Sequence, residues 1–311
     1  MIYDLIIIGG GPGGVAAGIY AARKKMKSVL ITDSFGGQSL NSAGIENWIG
    51  TKAISGFDLA KNLEEHLRSQ AGIEIVAPDM VTKIEKKDVG IPNGGFLVTT
   101  QSGKTFETKY VLVTAGSRRK RLGVPGEDAF DGKGVVFCTT CDAPLFEGKT
   151  VAVVGGGNSA LESVLDLIPY ASKIYLIVRS NVLKGDPVSQ EKVKTHPQVT
   201  IMWNTVIEEI RGDKFVTGVR YKDTQTGESK ELALDGVFVE VGLTPNSDFT
   251  KGLLETEQYG HIHVDHQTQA TSQPGIWAAG DVTDGLYQQN NISVGDSIKA
   301  VLNIYDKIKT G

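Results

Sequence analysis

Residues 3–14 read YDLIIIGGGPGG, a continuous apolar run that ends in a glycine-rich loop. A second such stretch, VAVVGGGNSA, occupies residues 151–160. Each is followed by a helix-like segment and then by another apolar run, at 28–32 and at 173–178. Continuous apolar runs that alternate with helices indicate parallel strands buried on both faces. The sequence therefore predicts an α/β fold with two Rossmann-like dinucleotide-binding domains, each built on a parallel sheet.

The order of these units along the chain predicts a nested layout. The segment GVPG at 123–126 has the composition of a linker, and the pattern breaks again at LTPN, residues 243–246. We expect residues 1–116 and 246–311 to form the first domain. Residues 117–245 would form a second domain that is inserted into the first.

The first glycine loop has the full dinucleotide-binding spacing, Gly9-x-Gly11-x-x-Gly14. Glycine at these positions permits a tight turn and lets backbone N–H groups and a helix N-terminus approach a pyrophosphate. Asp33 lies 19 residues after Gly14, where a carboxylate can accept a ribose hydroxyl. The candidate binding residues of this region are Gly9, Gly11, Pro12, Gly13, Gly14, Asp33 and Ser34.

The second loop has the alanine variant of the same spacing and predicts a nicotinamide nucleotide site. The strand that follows ends at Val178, where an acid would select NADH and a basic cluster would select NADPH. Residues 178–184 read VRSNVLK, with no carboxylate, so this stretch leaves NADPH and NADH both open. The candidate residues are Gly155, Gly157, Asn158, Ser159, Ala160, Arg179 and Lys184.

Composition excludes several classes of protein. The chain has 311 residues, and 32 Lys and Arg against 36 Asp and Glu give a net charge of −4, which argues against a nucleic-acid surface. The uncharged run 5–22 contains glycines and a proline and follows no basic segment, so we read it as strand, loop and helix rather than a signal peptide or membrane anchor. We expect a cytoplasmic protein.

The only two cysteines lie in Cys138-Thr-Thr-Cys141-Asp142. Cysteines at this spacing can form a small disulfide ring, and Asp142 is placed to exchange a proton with a thiolate. A zinc site would need two further ligands, and the nearest histidine in sequence is His196, so redox chemistry is favoured over zinc or inert packing.

The histidine-rich stretch GHIHVDH is the other candidate for a metal site. With no acid expected near His261, His263 and His266, we interpret these side chains as part of a solvated surface. We therefore expect no metal.

Taken together, the motifs resemble those of the low-molecular-weight thioredoxin reductases and of the flavoprotein part of alkyl hydroperoxide reductase. The resemblance covers essentially the whole chain. It is carried by the two glycine loops, by GGQ at 36–38, IENW at 45–48 and CTTCDAPL at 138–145, and by WAAGDV at 277–282 with YQQ at 287–289.

The resemblance implies FAD at the first loop and NADPH or NADH at the second. Asp281 would bind the ribityl chain, Cys141 would receive electrons from the flavin, and Cys138 would attack the disulfide of a protein partner with Asp142 as acid–base. It also implies a homodimer and a rotation of the inserted domain. The further FAD-site residues that the resemblance implies are Gly36, Gly37, Gln38, Asn47, Val81, Gly116, Gly280, Gln288, Gln289 and Asn290.

We therefore predict a flavin-dependent thioredoxin-disulfide reductase whose partner is a small thioredoxin-like protein. The hydroperoxide-linked relatives carry an extra N-terminal dithiol domain, whereas this chain begins its first strand at Tyr3, which favours a thioredoxin-like acceptor. The alternatives are the same chemistry with ferredoxin or another protein as donor, a reductase of a peroxiredoxin system, and a non-catalytic flavoprotein redox sensor.

Overall fold

The computed structural model of the protein describes residues 1–42, 44–87, 94–137 and 139–310. It divides the chain into two compact units. The first consists of Met1–Arg118 and Thr244–Gly311, and the second is the intervening Arg119–Leu243. These boundaries lie about two residues from the domain limits expected from the sequence, 116/117 and 245/246.

The strands and helices are numbered here in chain order. The strands are β1 (Ile2–Gly10), β2 (Ser28–Phe35), β3 (Ile73–Val76), β4 (Val81–Lys87), β5 (Gly95–Thr100), β6 (Thr105–Val113), β7 (Ser117–Arg119), β8 (Val135–Val136), β9 (Thr150–Val154), β10 (Lys173–Ile177), β11 (Val199–Met202), β12 (Thr205–Gly212), β13 (Val216–Asp223), β14 (Ser229–Ala233), β15 (Gly236–Val239), β16 (Leu243–Pro245) and β17 (Ile276–Ala278). The α-helices are α1 (Pro12–Arg23), α2 (Gly56–Arg68), α3 (Thr139–Asp142), α4 (Asn158–Leu167), α5 (Pro187–Thr195) and α6 (Asn290–Thr310). Short 3₁₀ helices cover Gly37–Asn41, Ala143–Phe146 and Asp248–Thr250.

The sheet of the first unit has the order β3-β2-β1-β6-β5-β4, and β17 pairs with β6. Strand β1 runs parallel to both β2 and β6, as its apolar run predicts. Its side chains alternate between two cores, with Ile6 and Ile8 in one and Leu5 and Ile7 in the other. Full burial of such a side chain stabilises the fold by about 2 kcal/mol. The central strand is thus held from both faces.

Two local features of this unit are clear only in the structure. Residues 105–108 alternate in polarity like a hairpin strand and residues 110–114 are apolar, and the structure joins them in a single strand, β6, which ends at Val113. Helix α2 was not expected from the sequence pattern. Ser55 caps it by accepting a 3.0 Å hydrogen bond from the Asp58 N–H, and its apolar face carries the buried Leu59 and Leu67.

The sheet of the second unit has the order β11-β10-β9-β15-β8, and the pairings along it are parallel. A separate antiparallel sheet consists of β12, β13 and β14. The apolar run Val151–Val154 is buried, as expected for a strand covered on both faces. The predicted fold class, two parallel-sheet domains with the second inserted into the first, is therefore confirmed.

Asp79 provides a measurable test of the packing in the first unit. Its carboxylate accepts hydrogen bonds from Met80 N (2.9 Å), Ser102 N (3.2 Å) and Ser102 Oγ (2.5 Å). These bonds lower the pKa of Asp79 from 3.8 to about 2, the Ser102 hydroxyl having the largest effect. Because the folded-state pKa lies below the ordinary value, the stabilisation is fully present above about pH 4 and is lost as the pH falls towards 2.

Replacing Asp79 by Asn is therefore expected to lower the melting temperature at pH 7 by about 3–6 °C. The difference from wild type should shrink as the pH approaches 2, and circular dichroism melts at pH 7, 4 and 2.5 measure it. Asp306→Asn on the exposed face of α6 is the control and should have no such effect. A deficit that stays constant down to pH 2.5 would contradict the assignment.

Candidate functional site

The first glycine loop connects β1 to α1 in a turn that leaves no room for side chains. A Cβ added at Gly14 would lie 1.9 Å from the carbonyl oxygen of Gly9. Gly9 itself has a positive φ of 115°, and a Cβ there would lie 2.4 Å from the oxygen of Thr114. The turn therefore requires glycine at both positions because backbone packs directly on backbone.

Gly11 differs from its neighbours, because a Cβ added there meets nothing within 4 Å. Gly11 caps the N-terminus of α1, Pro12 takes the first helical position, and no side chain bonds to the free N–H groups of the first turn. These N–H groups and the positive end of the helix dipole are suited to a phosphate. Gly11 is thus the position at which a ligand could approach the backbone.

A cavity in the first unit opens at this helix end. Twelve of the residues proposed from the sequence as dinucleotide ligands line it: Gly9, Gly11, Pro12, Gly13, Asp33, Ser34, Gly37, Gln38, Gly116, Gly280, Asp281 and Asn290. The 3₁₀ turn is tied to β7 by a 3.0 Å hydrogen bond from Gln38 Nε2 to the oxygen of Ser117. Asn290 Oδ1 accepts a 3.2 Å bond from Ser39 Oγ, which ties the start of α6 to the same turn.

Six other proposed residues do not line this cavity. Gly14 packs on Gly9, and Gly36 precedes the 3₁₀ turn with a positive φ of 94°. Val81 is 9% exposed and belongs to the core under β4. The remaining three are amide side chains that bond elsewhere: Asn47 Nδ2 donates to Gln289 Oε1 (3.0 Å), and Gln288 Nε2 lies 3.4 Å from a ring nitrogen of His261.

The cavity also has lining residues that sequence reasoning missed, namely Gly10, Thr32, Thr114, Ala115, Ser117, Asn246, Ala279 and Ser293. Asn246 donates to the Ala115 oxygen through Nδ2 (2.8 Å) and to the Gly116 oxygen through its N–H (2.9 Å), which closes one wall. The only sequence signal for them is adjacency to predicted residues, as for Ala115 and Ser117 beside Gly116. Asn246 has no such signal.

The polar atoms of the cavity fit a dinucleotide. Ser117 Oγ is buried and has no hydrogen-bond partner among the described residues, so it is free to bond to a ligand. Burial raises the pKa of Asp281, although Ser293 Oγ donates a 3.3 Å hydrogen bond that opposes the rise. Asp33 is exposed near the end of β2, where a ribose hydroxyl would reach it. The N-terminus of α1 with Gly11 suits the pyrophosphate of FAD, and Asp33 and Asp281 suit its hydroxyl groups.

The second glycine loop connects β9 to α4 in the second unit. A Cβ at Gly155 would lie 2.2 Å from the oxygen of Glu240, whereas one at Gly157, the residue that caps α4, meets nothing within 4 Å. Lys184 is brought to the loop by a 2.7 Å hydrogen bond from its N–H to the Gly156 oxygen. The loop therefore repeats the arrangement of the first, with one tight glycine and one open glycine.

The other proposed residues of this loop divide into buried and exposed groups. Ala160 is buried beneath the turn, while Asn158, Ser159, Arg179 and Lys184 are exposed. Asn158 is also structural, because its Oδ1 accepts a 2.6 Å hydrogen bond from the N–H of Asp186. Arg179 and Lys184 thus provide exposed positive charge beside the loop.

The dithiol segment also lies in the second unit. Cys138 lies outside the described residues, and Cys141 lies within the short helix α3, which ends at Asp142. Burial raises the pKa of the Asp142 carboxyl, so that it holds a proton at higher pH than an exposed aspartate does. A group of this kind is suited to proton exchange with a neighbouring thiol.

The histidines near the C-terminus require a correction, because no acid was expected near them. Nδ1 of His261 lies 2.8 Å from Oε1 of Glu257, and Nδ1 of His263 lies 2.8 Å from Oδ2 of Asp284. Nε2 of His266 lies 3.4 Å from Oδ1 of the same Asp284. Nevertheless, no group of three or more His, Cys, Asp or Glu side chains within the described ranges is arranged to hold a metal ion.

A search for spans with the length and hydropathy needed to cross a bilayer finds none among the helices of the described residues.

The chain is similar in sequence to known proteins. A family model described as pyridine nucleotide-disulphide oxidoreductase matches residues 3–297. The chain is 41% identical over 304 residues to a protein named NADH dehydrogenase from Bacillus subtilis strain 168, covering 98% of this chain and 58% of that protein. It is 41% identical over 306 residues to a component of the alkyl hydroperoxide reductase of Staphylococcus epidermidis, covering 98% and 59%. The chain thus spans somewhat less than three fifths of the length of these curated relatives.

Solved structures of similar fold match over nearly their whole length. Thioredoxin reductase of Lactococcus lactis, in the FR conformation, has a TM-score of 0.83 at 33% identity and is covered over 100% of its chain and 99% of this one. Thioredoxin reductase of T. acidophilum has a TM-score of 0.79 at 36% identity, with 99% of each chain covered. The predicted resemblance to low-molecular-weight thioredoxin reductases is confirmed. The chain therefore belongs to the pyridine nucleotide-disulphide oxidoreductase family.

Proposed function

We propose that the protein is a flavin-dependent thioredoxin-disulfide reductase. It uses electrons from NAD(P)H to reduce a Cys138–Cys141 disulfide, and the dithiol then reduces the disulfide of a small thioredoxin-like protein. The observation that carries this proposal is the short helix Thr139–Asp142, which contains Cys141 and directly follows Cys138 in the sequence. It occurs in a chain that has two dinucleotide loops and matches a thioredoxin reductase over 99% of its length. We further propose that it acts as a cytoplasmic homodimer, and sedimentation equilibrium tests the assembly.

The chain's own residues divide the work between the two units. In the first unit, the N-terminus of α1 and Gly11 would hold the pyrophosphate of FAD, Asp33 its ribose and Asp281 its ribityl chain. The bound FAD supplies the two-electron chemistry that links a pyridine nucleotide to a disulfide. In the second unit, Gly155–Ala160 would hold the pyridine nucleotide.

Delivery of electrons to the partner is a thiol–disulfide exchange. The thiolate of Cys138 attacks one sulfur of the partner's disulfide, forming a mixed disulfide and releasing the partner's other sulfur as a thiolate. Cys141 then attacks the sulfur of Cys138, so that the partner leaves as a dithiol and the Cys138–Cys141 disulfide is restored. Asp142, whose pKa is raised by burial, supplies a proton to a leaving thiolate.

The test is an anaerobic stopped-flow experiment on the purified holoenzyme. Flavin absorbance near 450 nm is followed after mixing with NADPH and with NADH, and thioredoxin is then added as acceptor. Flavin bleaching followed by acceptor reduction supports the proposal. Failure of both nucleotides to bleach the flavin would reject the nicotinamide step.

A second candidate is a reductase of a peroxiredoxin system. It is favoured by the 41% identity to a component of alkyl hydroperoxide reductase. The two candidates differ in acceptor, so an assay that pairs the enzyme with thioredoxin and, separately, with a dithiol carrier plus a peroxiredoxin distinguishes them.

We expect NADPH to be the better donor by about tenfold in kcat/KM. Val178 is buried where an acid would be needed to bind the free 2′-hydroxyl, while Arg179 and Lys184 are exposed beside the loop and can contact a 2′-phosphate. The double variant Arg179→Ala/Lys184→Ala should raise KM for NADPH about tenfold and leave KM for NADH within twofold. Lys133→Ala, at another exposed position of the second unit, is the control. Equal effects on both nucleotides would contradict this assignment.

A further inference from the structure

The second unit contains an ion pair between a buried carboxylate and a partly exposed arginine, which the proposed mechanism does not use. Glu240 directly follows β15, and its side chain is only 7% exposed. Nη1 of Arg119 lies 3.3 Å from its Oε2 and 3.4 Å from its Oε1. Burial raises the pKa of Glu240, although the charge of Arg119 acts in the opposite direction. Because buried ion pairs contribute little net stability, a pair at this position calls for another role.

The pair is connected to the dithiol helix by hydroxyl groups. Thr139, the first residue of α3, donates a 2.6 Å hydrogen bond from Oγ1 to Oγ of Ser163 on α4. Both hydroxyls lie close enough to the Glu240 carboxyl group to lower its pKa, against the effect of burial. Nε of Arg119 is buried and has no hydrogen-bond partner among the described residues, so the guanidinium is held with one donor unsatisfied. The network therefore runs from Arg119 through Glu240 to the first residue of α3.

Backbone geometry brings this network close to the cysteines. Thr139 directly follows Cys138 in the chain and begins the helix that contains Cys141. Residues two apart in a helix have Cα atoms about 5.5 Å apart, which fixes the distance from Thr139 to Cys141. A charge held beside Thr139 is therefore close along the chain to both cysteines, and electrostatic interactions are strong around a carboxylate as buried as that of Glu240.

We propose that Arg119 and Glu240 are positioning residues that set the ionisation of the Cys138–Cys141 dithiol through Thr139 and Ser163. This inference rests on the proposed disulfide chemistry. When Glu240 carries a proton, the charge of Arg119 is unbalanced and favours the thiolate; when Glu240 ionises, the two charges cancel and the thiol is favoured. The groups that face Glu240 are Arg119 at the end of β7 and the neutral hydroxyls from α3 and α4, while Asp142 at the end of α3 is the other ionisable group of that helix.

The test measures the reactivity of the two thiols and needs neither an electron donor nor a protein acceptor. The chain has only two cysteines, so iodoacetamide alkylation of the reduced holoenzyme reports on this pair alone, and Cys141→Ser and Cys138→Ser versions assign each thiol. In wild type, the rate against pH should show a second inflection from Glu240. Glu240→Gln should remove that inflection and lower the thiol pKa by about one unit, which makes alkylation at pH 6.5 about tenfold faster. Arg119→Gln should slow it several-fold.

Glu231→Gln and Arg211→Gln are the matched controls. Arg211 and Glu231 form the same kind of pair within the second unit, but on the surface of the β12–β14 sheet, and their removal should change the rate by less than twofold. If Glu240→Gln and Arg119→Gln changed the alkylation rate in the same direction, the inference would be overturned. Loss of a purely structural contact would disturb α3 in the same way in both variants. Rates that match the controls would overturn it as well.

Variants of the hydroxyl groups cover the case in which the charge variants do not fold. Thr139→Val and Ser163→Ala remove the connection while both charges stay in place. The inference expects the Glu240 inflection to weaken or vanish in each, with the melting temperature measured alongside. An unchanged pH profile in both would overturn it. Because alkylation needs no turnover, loss of the proposed reductase activity would be detected separately, in the acceptor assay.

Discussion

Replacing Cys138 or Cys141 by serine is expected to lower acceptor reduction by at least about 1,000-fold. A hydroxyl can neither form a disulfide nor act as a leaving group in thiol–disulfide exchange, so neither variant can form the Cys138–Cys141 disulfide through which the electrons pass. Bleaching of the flavin by NADPH should persist in both variants, because the first unit and the second glycine loop are unchanged. Anaerobic stopped-flow absorbance measures the bleaching, and an insulin–thioredoxin assay measures turnover.

The two single variants also differ from one another in an informative way. With Cys141 replaced, Cys138 can still attack the partner, and a covalent mixed disulfide with a thioredoxin-like protein should accumulate on a non-reducing gel. With Cys138 replaced, no such species should form. Full acceptor reduction by either variant, or a partner trapped only on Cys141, would contradict the assigned roles. A sensor without turnover, by contrast, predicts that neither substitution alters its partner interaction.

The second large effect is expected at the first glycine loop. Alanine substitutions at Gly11 and Gly14 should impair different properties, FAD binding in the first case and stability in the second. Gly11→Ala should leave the melting temperature of the apoprotein nearly unchanged, because the new methyl group meets no protein atom within 4 Å. It should nevertheless weaken FAD binding by about 100-fold, or ~2.7 kcal/mol, because the methyl group enters the space that the pyrophosphate needs. Titration of apoprotein with FAD, followed by flavin fluorescence, measures this.

Gly14→Ala should instead damage the fold. Its methyl group would lie 1.9 Å from the Gly9 oxygen, so backbone must shift, at a cost of about 3 kcal/mol or more. Gly295→Ala is the matched control: this glycine lies inside α6 with open space around its Cβ, and alanine there should stabilise the helix by up to about 1 kcal/mol. If Gly11→Ala bound FAD like wild type, the cavity would not be the flavin site.

Some strands and helices of this protein follow from local sequence patterns, whereas others depend on contacts between distant residues. The parallel strands β1 and β9 were predictable because a continuous apolar run can be buried only as a strand covered on both faces. The capped helix α2 was not predicted, although Ser55 and Asp58 carry a capping signal, because its apolar face covers only part of the helix. The hairpin-like pattern at 105–108 and the apolar run that begins at Tyr110 belong to one strand, β6, which pairs antiparallel with β5 and parallel with β1.

For the candidate site, spacing motifs located the residues that act through their own backbone, such as Gly9 and Gly11. They did not locate Asn246 or Ser293, which line the same cavity from distant parts of the chain and carry no motif. The acid partner of His263 was missed for a similar reason: Asp284 lies 21 residues away, and only the folded chain brings the two to 2.8 Å. The partner of His261, by contrast, is Glu257, only four residues away along the chain.

The amino-acid sequence by itself determined the two nucleotide-binding folds and the place of the dithiol, because steric demands at glycine and the pairing of cysteines are local properties. The tertiary structure alone decided which distant side chains close the cavity around Ser117, and that the charged groups of Arg119 and Glu240 lie near Thr139. Contacts of that kind depend on how separate strands and helices pack, and no spacing within a single segment encodes them.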